Sequence, residues 1–396
     1  MPDARLDEAM LAAMRAKAGL TLRIEHSVNN EEATRLAIAK FVDGIGDLNP
    51  LWSDEAHSTS SAYGRSVAPP SWVVCVFAGL QFGWPGLGSF HSASDLTFHR
   101  PVFRGDRIEP TCVYEGFDGP RPSRFADQIV VDRFRNTYRN QHGVLVAEIH
   151  WSVVNFERAK ARDRQRSDVN VEPHCWDEAE LAEVEAEVLA EEARGATRRH
   201  WEDVNVGDSL DGLTKGPIGM TDEIAYVVAG GAPIPRLAAH ATSLSRYREH
   251  PAWAFRDPET GALEPIYAVH YHRGAARAMG VPLQYDVGFQ RQCWQIHVLT
   301  NWIGDEGWVK RASAQYRRFV FHGDVVRLGG TVTEKLVDAD GEHCVRVSTS
   351  ATNQRGEEVM PGTAVLALPT RAGPTPVQRR VDDAGGASAT PEFTQR

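Results

Sequence analysis

The feature that most constrains this chain is that it contains a copy of part of itself. Phe98–Ile108 (FHRPVFRGDRI) and Tyr316–Val326 (YRRFVFHGDVV) align without a gap, with Arg, Val, Phe, Gly and Asp at the same places. In each copy an alternating apolar run leads to a Gly-Asp turn and then to a β-rich run, 109–117 or 327–335, the pattern of consecutive antiparallel strands. An apolar segment suited to a buried helix precedes each copy, 71–81 in one half and 289–303 in the other. Further strand-like runs follow, 124–138 and 145–155 in the first half, 342–352 and 362–368 in the second. The same order met twice predicts two halves, each a sheet wrapped around one central helix, an α+β arrangement. At 396 residues the chain is long enough to give each half its own core.

The halves are placed at 1–156 and 201–370. Between them, 157–200 begins as a polar connector and continues as an acidic Ala/Glu/Leu-rich helix from Asp177 to Arg194, with Asp177 as its cap. Residues 371–396 carry few large apolar side chains and are expected to be a disordered tail. Hydrophobic residues make up 42% and charged residues 24%, and no stretch has the apolar length of a membrane span. The N-terminus lacks the apolar centre of a secretory signal, so a cytoplasmic location is the default expectation. A net charge of −10 argues against a nucleic-acid partner while leaving room for a local basic patch. Cys75, Cys112, Cys175, Cys293 and Cys344 stand far apart with no CxxC pair, which suggests free thiols and no metal site. No Gly-rich phosphate motif or nicotinamide fingerprint is present, so no bound cofactor is expected.

Ile45–Trp52 (IGDLNPLW) has the most chemical content. It ends a predicted helix over 31–44, and Asn49-Pro50 stops that helix. Taken alone, Asp47 can cap, Asn49 can bond the backbone, and Trp52 can fill the core. In context, GDLNPL directly after a helix resembles the hydratase motif of the MaoC-like dehydratase/(R)-hydratase superfamily, in which a histidine usually follows the leucine. Val67-Ala68-Pro69-Pro70-Ser71, Arg100-Pro101-Val102 and Gly105-Asp106 then follow in the family's order. The resemblance is to two-domain proteins with a FAS1-like dehydratase N-terminal domain and covers roughly residues 20 to 370. It implies a double hotdog fold and an acyl-CoA hydratase/dehydratase activity, the reversible addition of water to a 2-enoyl thioester. CoA or an acyl carrier would enter only as part of the substrate.

In that superfamily the motif Asp and His share one water. Here Asp47 and Asn49 remain, but Trp52 cannot exchange a proton at neutral pH. In the second half AVHYHRGAARAMG (268–280) resembles the stretch after the motif and puts His270 at the histidine position, while the acid position five residues earlier is Pro265. Tyr285–Arg291 resembles the entrance to the second central helix, whose free amides would polarise a thioester carbonyl and hold an enolate. Asp286 reads as a cap of that helix or as a ligand contact, and His297, inside the helix, as a packed residue. The candidates are therefore Asp47 and His270 for catalysis and Asn49, Trp52, Pro70, Ser71, Asp286, Gly288 and Arg291 for substrate contact, with no metal ligand. Fused hotdog halves mimic a dimer, so Asp47 and His270 share a site only if the packing brings them together. Two other readings stay open: a hotdog acyl-CoA thioesterase, and a non-catalytic CoA-binding subunit of a hetero-oligomeric hydratase with a hotdog partner subunit. A homo-oligomer is expected by resemblance, without nucleic-acid or membrane partners.

Overall fold

A computed structural model describes residues 4–82, 84, 86–123, 126–160, 172–231, 236–279 and 281–385. The two copies of the repeat build one and the same turn. Gly105 and Gly323 sit at φ +93° and +92°, a left-handed conformation that only glycine enters without steric cost. Asp106 Oδ2 accepts the Phe103 N–H at 2.8 Å and Asp324 Oδ2 the Phe321 N–H at 3.0 Å. The other oxygen of each carboxylate takes a glutamine amide, Gln141 at 3.0 Å and Gln354 at 2.7 Å. Val102 O accepts from Ala68 N–H and Val320 O from Asp286 N–H, both at 2.9 Å, so each repeat also ties down the entrance to its central helix.

The first half contains α1 (Glu8–Ala16), α2 (Arg35–Ile45), α3 (Pro50–Ser53), α4 (Glu55–Ser60), α5 (Val73–Val76) and strands β1 (Leu87–Phe98), β2 (Ile108–Ser123), β3 (Asp127–Asn140) and β4 (Leu145–Glu157). A linker helix, α6 (Glu178–Leu189), follows, closed by a capping box between Asp177 and Glu180. The second half contains β5 (Leu213–Lys215), α7 (Met220–Val228), α8 (His240–Glu249), β6 (Ala254–Arg256), β7 (Leu263–Pro265), α9 (Arg273–Ala278), α10 (Gly288–Ile303), β8 (Trp308–Gln315), β9 (Val326–Val337), β10 (His343–Asn353), β11 (Gly362–Ala367) and α11 (Pro376–Gly385). The main sheet runs β2-β3-β4-β1-β8-β11-β10-β9-β5. Its seam is the antiparallel pairing of Ala93–Thr97 with Arg311–Gln315. Each half is thus an antiparallel sheet curled over a central helical segment, and the two sheets join edge to edge as a double hotdog fold.

Three expectations need correction. The strands flanking the Gly-Asp turn are consecutive in sequence but not neighbours: β1 and β2 lie at opposite margins of the first half's four strands. Backbone bonds from Ala68 N–H to Val102 O and from Arg104 N–H to Ser66 O carry the connection across the sheet's end. The first central helix does not span 71–81; after a 3-10 turn at Pro70–Trp72 it ends at Val76, and Phe77 is extended. Val73, Val74 and Val76 are β-branched and favour helix weakly. The chain's carbonyls bond elsewhere: Cys75 O to the Asn30 amide, Val76 O to Asn29 N–H, Phe77 O to Tyr138 Oη and Ala78 O to the Asn136 amide. The tail expected to be disordered instead forms α11 over 376–385, because Val377 is fully buried and Arg380 makes a bidentate pair with Glu342 at 2.7 Å. Residues 386–396, and most of the connector at 161–171, lie outside the described residues.

One apolar core runs through both halves. Helices α2 and α7 approach so closely that a Cβ on Gly44 would stand 3.0 Å from Ala225 O and 3.1 Å from Tyr226 Cα. No described helix is long and apolar enough to cross a membrane.

Candidate active site

The motif of the first half folds onto itself and is then closed by the second half. Helix α2 ends at Gly46 in a left-handed conformation, which turns Asp47 inward. Asp47 Oδ1 accepts the Asn49 N–H at 2.9 Å, and Oδ2 accepts the Trp52 indole N–H at 3.0 Å. Asn49 Oδ1 accepts the Leu51 N–H at 3.0 Å and caps α3. From α10, His297 Nε2 comes within 3.2 Å of Asp47 Oδ1 and 2.7 Å of Glu191 Oε1, at ion-pair distance from both but with hydrogen-bond alignment to neither. Lys215 Nζ is 3.2 Å from Glu191 Oε2 and donates to Gly46 O at 2.7 Å. Asp47, Glu191 and His297 offer ligating atoms within 4.8 Å of one another, and the Lys215 ammonium already supplies a cation beside them. Asp47 and His297 are buried, at 4% and 1% exposure, while Glu191 is partly exposed. Burial raises the Asp47 carboxyl's proton affinity, and His297 only partly offsets that. Burial acts the same way on Glu191, but the close approach of His297 and the Lys215 ammonium overcomes it and brings its pKa down to about 2.

The corresponding helix start in the second half reaches the surface at one residue. Helix α10 starts at Gly288, which is partly exposed. Its first intrahelical bond runs from Arg291 N–H to Val287 O, so the amides of Gly288, Phe289 and Gln290 have no helical acceptor. A Cβ at Gly288 would stand 3.1 Å from His91 Nδ1 and 3.3 Å from the Tyr316 ring, so glycine fits closely beside both. His270 Nδ1 lies 2.9 Å from Tyr285 O. A carbonyl can only accept, so Nδ1 carries the proton and Nε2 keeps its lone pair. Burial, opposed by the Tyr285 carbonyl and Asp286, lowers the His270 pKa to about 4, leaving a neutral imidazole at neutral pH. Asp286 does not cap α10; Val287 holds the cap position. The Asp286 carboxylate instead takes Arg291 Nε at 2.7 Å and Nη2 at 2.5 Å, and Arg291 Nη1 donates to Arg318 O and Val359 O. This pair clamps the helix entrance, and the Arg291 guanidinium is fully engaged there.

The candidates therefore fall into two groups. Asp47, Asn49 and Trp52 form the buried cluster, while His270, Asp286, Gly288 and Arg291 surround the start of α10. Pro70 and Ser71 lie in the 3-10 turn of the first half, with Ser71 buried at 1% exposure. Asp47 and His270 have no contact in common: nine residues of α10 separate Gly288 from His297, a rise of about 14 Å at the helical repeat. Glu191 escapes the sequence reading, which gives His297 only as a packed residue. The available signal was the polar series Gln290, Arg291, Gln292, Gln295, His297 and Asn301 in a helix that is buried from Phe289 onward. A groove of about 810 Å³ beside Arg23, Glu31, Arg107 and Arg139 is lined by no residue of either group.

Residues 21–149 match the family model described as "FAS1-like, dehydratase domain region". That region is similar to the FAS1-like dehydratase family. Two curated relatives extend this likeness. A protein of Thermomonospora curvata named "Probable enoyl-CoA hydratase alpha subunit" is 25% identical over 170 residues, 36% of this chain and 53% of its own. The "(R)-specific enoyl-CoA hydratase" of Aeromonas caviae is 33% identical over 72 residues, 18% of this chain and 54% of its own. The chain thus spans about half the length of these relatives. The architecture beyond the FAS1-like dehydratase region is shared with a solved "MaoC-like dehydratase", at 15% identity and a TM-score of 0.62 over 90% of this chain and all of that one.

Proposed function

We propose that this chain is an acyl-CoA hydratase/dehydratase that adds water reversibly to a 2-enoyl thioester at the N-terminus of α10. The observation that carries the reading is the partly exposed Gly288 at the head of a 16-residue helix, beside a neutral His270 in its base-competent tautomer. Amides at that helix end would hold the thioester oxygen as it gains charge, each worth about 3 kcal/mol in the transition state. His270 Nε2 would accept the proton of the water that attacks the β-carbon. Tyr285, Phe319 and Phe90 form a run of rings with centroids 4.7 and 5.2 Å apart along it, which suits an apolar acyl group. The half carrying the better motif match is left without chemistry on this reading, because the Asp47 carboxylate is already tied to Asn49, Trp52 and His297 and its central helix is one short turn.

The test uses purified wild type, His270→Ala and Asp47→Asn with enoyl-CoA esters from crotonyl to aryl, following thioester absorbance and product mass. His270→Ala is expected to lose about 100- to 10,000-fold in turnover, and Asp47→Asn to keep most of it. Release of free thiol would replace hydration by thioester hydrolysis. Loss of water addition in Asp47→Asn alone would move the chemistry to the first half.

A further inference from the structure

Glu223, in the first turn of α7, is 0% exposed, and neither carboxylate oxygen has a hydrogen-bond partner among the described residues. A buried polar group without a partner calls for a physical account, since leaving an ionised carboxylate in that state costs several kcal/mol. Burial, with Asp286 and Asp222 nearby and Arg291 opposing, raises its proton affinity well above that of an ordinary carboxylate. Its neighbours locate it. Glu223 acts electrostatically on Tyr267, whose ring centroid is 4.7 Å from that of His270. Gln290, the third residue of α10, donates from Nε2 to Asp222 O at 3.4 Å, and its own Oε1 is buried without a partner. Two unmatched polar groups thus lie against the same helix end. The charged and titratable groups facing Glu223 are Asp222 on its own helix, Asp286 and Arg291 at the α10 entrance, and Tyr267 from the 266–270 turn.

Resting on the hydratase reading above, we propose that Glu223 is the acid of this site, supplying the carboxyl group that Pro265 cannot and exchanging the proton at C2 while His270 exchanges the proton of water. In hydration the water oxygen bonds to C3 and its proton passes to His270 Nε2. The C2=C3 electron pair moves into the thioester as an enolate held by the α10 amides. The enolate then collapses as C2 takes the proton of the Glu223 carboxyl. One water has been added, leaving an imidazolium and a carboxylate, which exchange one proton to reset the site. A neutral base and a neutral acid, linked through Tyr267, are what opposite environmental shifts on His and Glu produce.

The experiment compares full-length wild type, Glu223→Gln and Glu223→Asp in two measurements. The first is the pH profile of kcat/KM on the enoyl-CoA panel. Glu223→Gln is expected to lose about 100- to 10,000-fold together with the alkaline limb, and Glu223→Asp to recover part of both. The second is the infrared C=O stretch of a protonated carboxyl in heavy water, expected in wild type, absent in Glu223→Gln, and shifted when butyryl-CoA or 3-hydroxybutyryl-CoA is added. Wild-type turnover with an intact alkaline limb in Glu223→Gln overturns the assignment, as does a missing band or one indifferent to both esters. If Glu223→Gln does not fold, Glu223→Asp and the wild-type band decide. A wild type that hydrates no ester counts against the hydratase reading, while the band's response to butyryl-CoA still decides on Glu223.

Discussion

Glu191 and Asp47 contact the same imidazole, yet folding moves their proton affinities in opposite directions. Burial raises Asp47 despite its bonds with an indole and a backbone amide and the nearby His297; Glu191, less buried and bonded directly to the Lys215 ammonium, falls to about 2. A depressed acid binds its proton less tightly in the folded chain, so its stabilising contribution is complete above the ordinary carboxylate pKa of about 4.5 and fades as pH falls towards 2. Glu191→Gln should therefore cost about 3 kcal/mol at neutral pH by leaving Lys215 short of a charge partner. Its deficit relative to wild type should shrink in urea titrations run at successively lower pH between 4.5 and 2; a deficit constant across that window would show that Glu191 is not ion-paired. Asp47 was legible because its motif is local, with Asn49 and Trp52 within five residues. His297 and Glu191 were not, because their significance depends on meeting residues 250 and 144 positions away in sequence.

At the level of elements, α2 and α7 meet backbone to backbone at Gly44. Gly44→Ala should destabilise the protein by about 1–3 kcal/mol, since its new methyl would meet backbone atoms that cannot rotate away; an unchanged denaturation midpoint would show that the helices can part without loss. The strands were readable because side chains alternate between core and solvent, as Val345 and Val347 do with Arg346 and Ser348 in β10. Helix α10 was readable from its apolar length. The first central helix was misjudged because its end is set by Asn29, Asn30, Asn136 and Tyr138, partners whose grip on 75–78 leaves no mark in the segment's own composition.

For the whole molecule, the seam between β1 and β8 and the shared core make the halves one unfolding unit. Urea unfolding followed by tryptophan fluorescence and by far-ultraviolet circular dichroism should give coincident transitions, and residues 1–160 or 172–396 expressed alone should show none that is cooperative. Two separated transitions would mean that each half stands by itself. The repeat announced two halves, but nothing in it named Ala93–Thr97 and Arg311–Gln315 as the strands that join them. That seam lies within a single polypeptide, so a substitution in one half is not imposed on the other, as it would be in a dimer of identical subunits. Trp52 and His297 can close over Asp47 on one side while Gly288 stays partly exposed on the other. A molecule built this way is free to divide labour between its halves, and on the reading proposed above ligand titrations should saturate at one acyl group per chain.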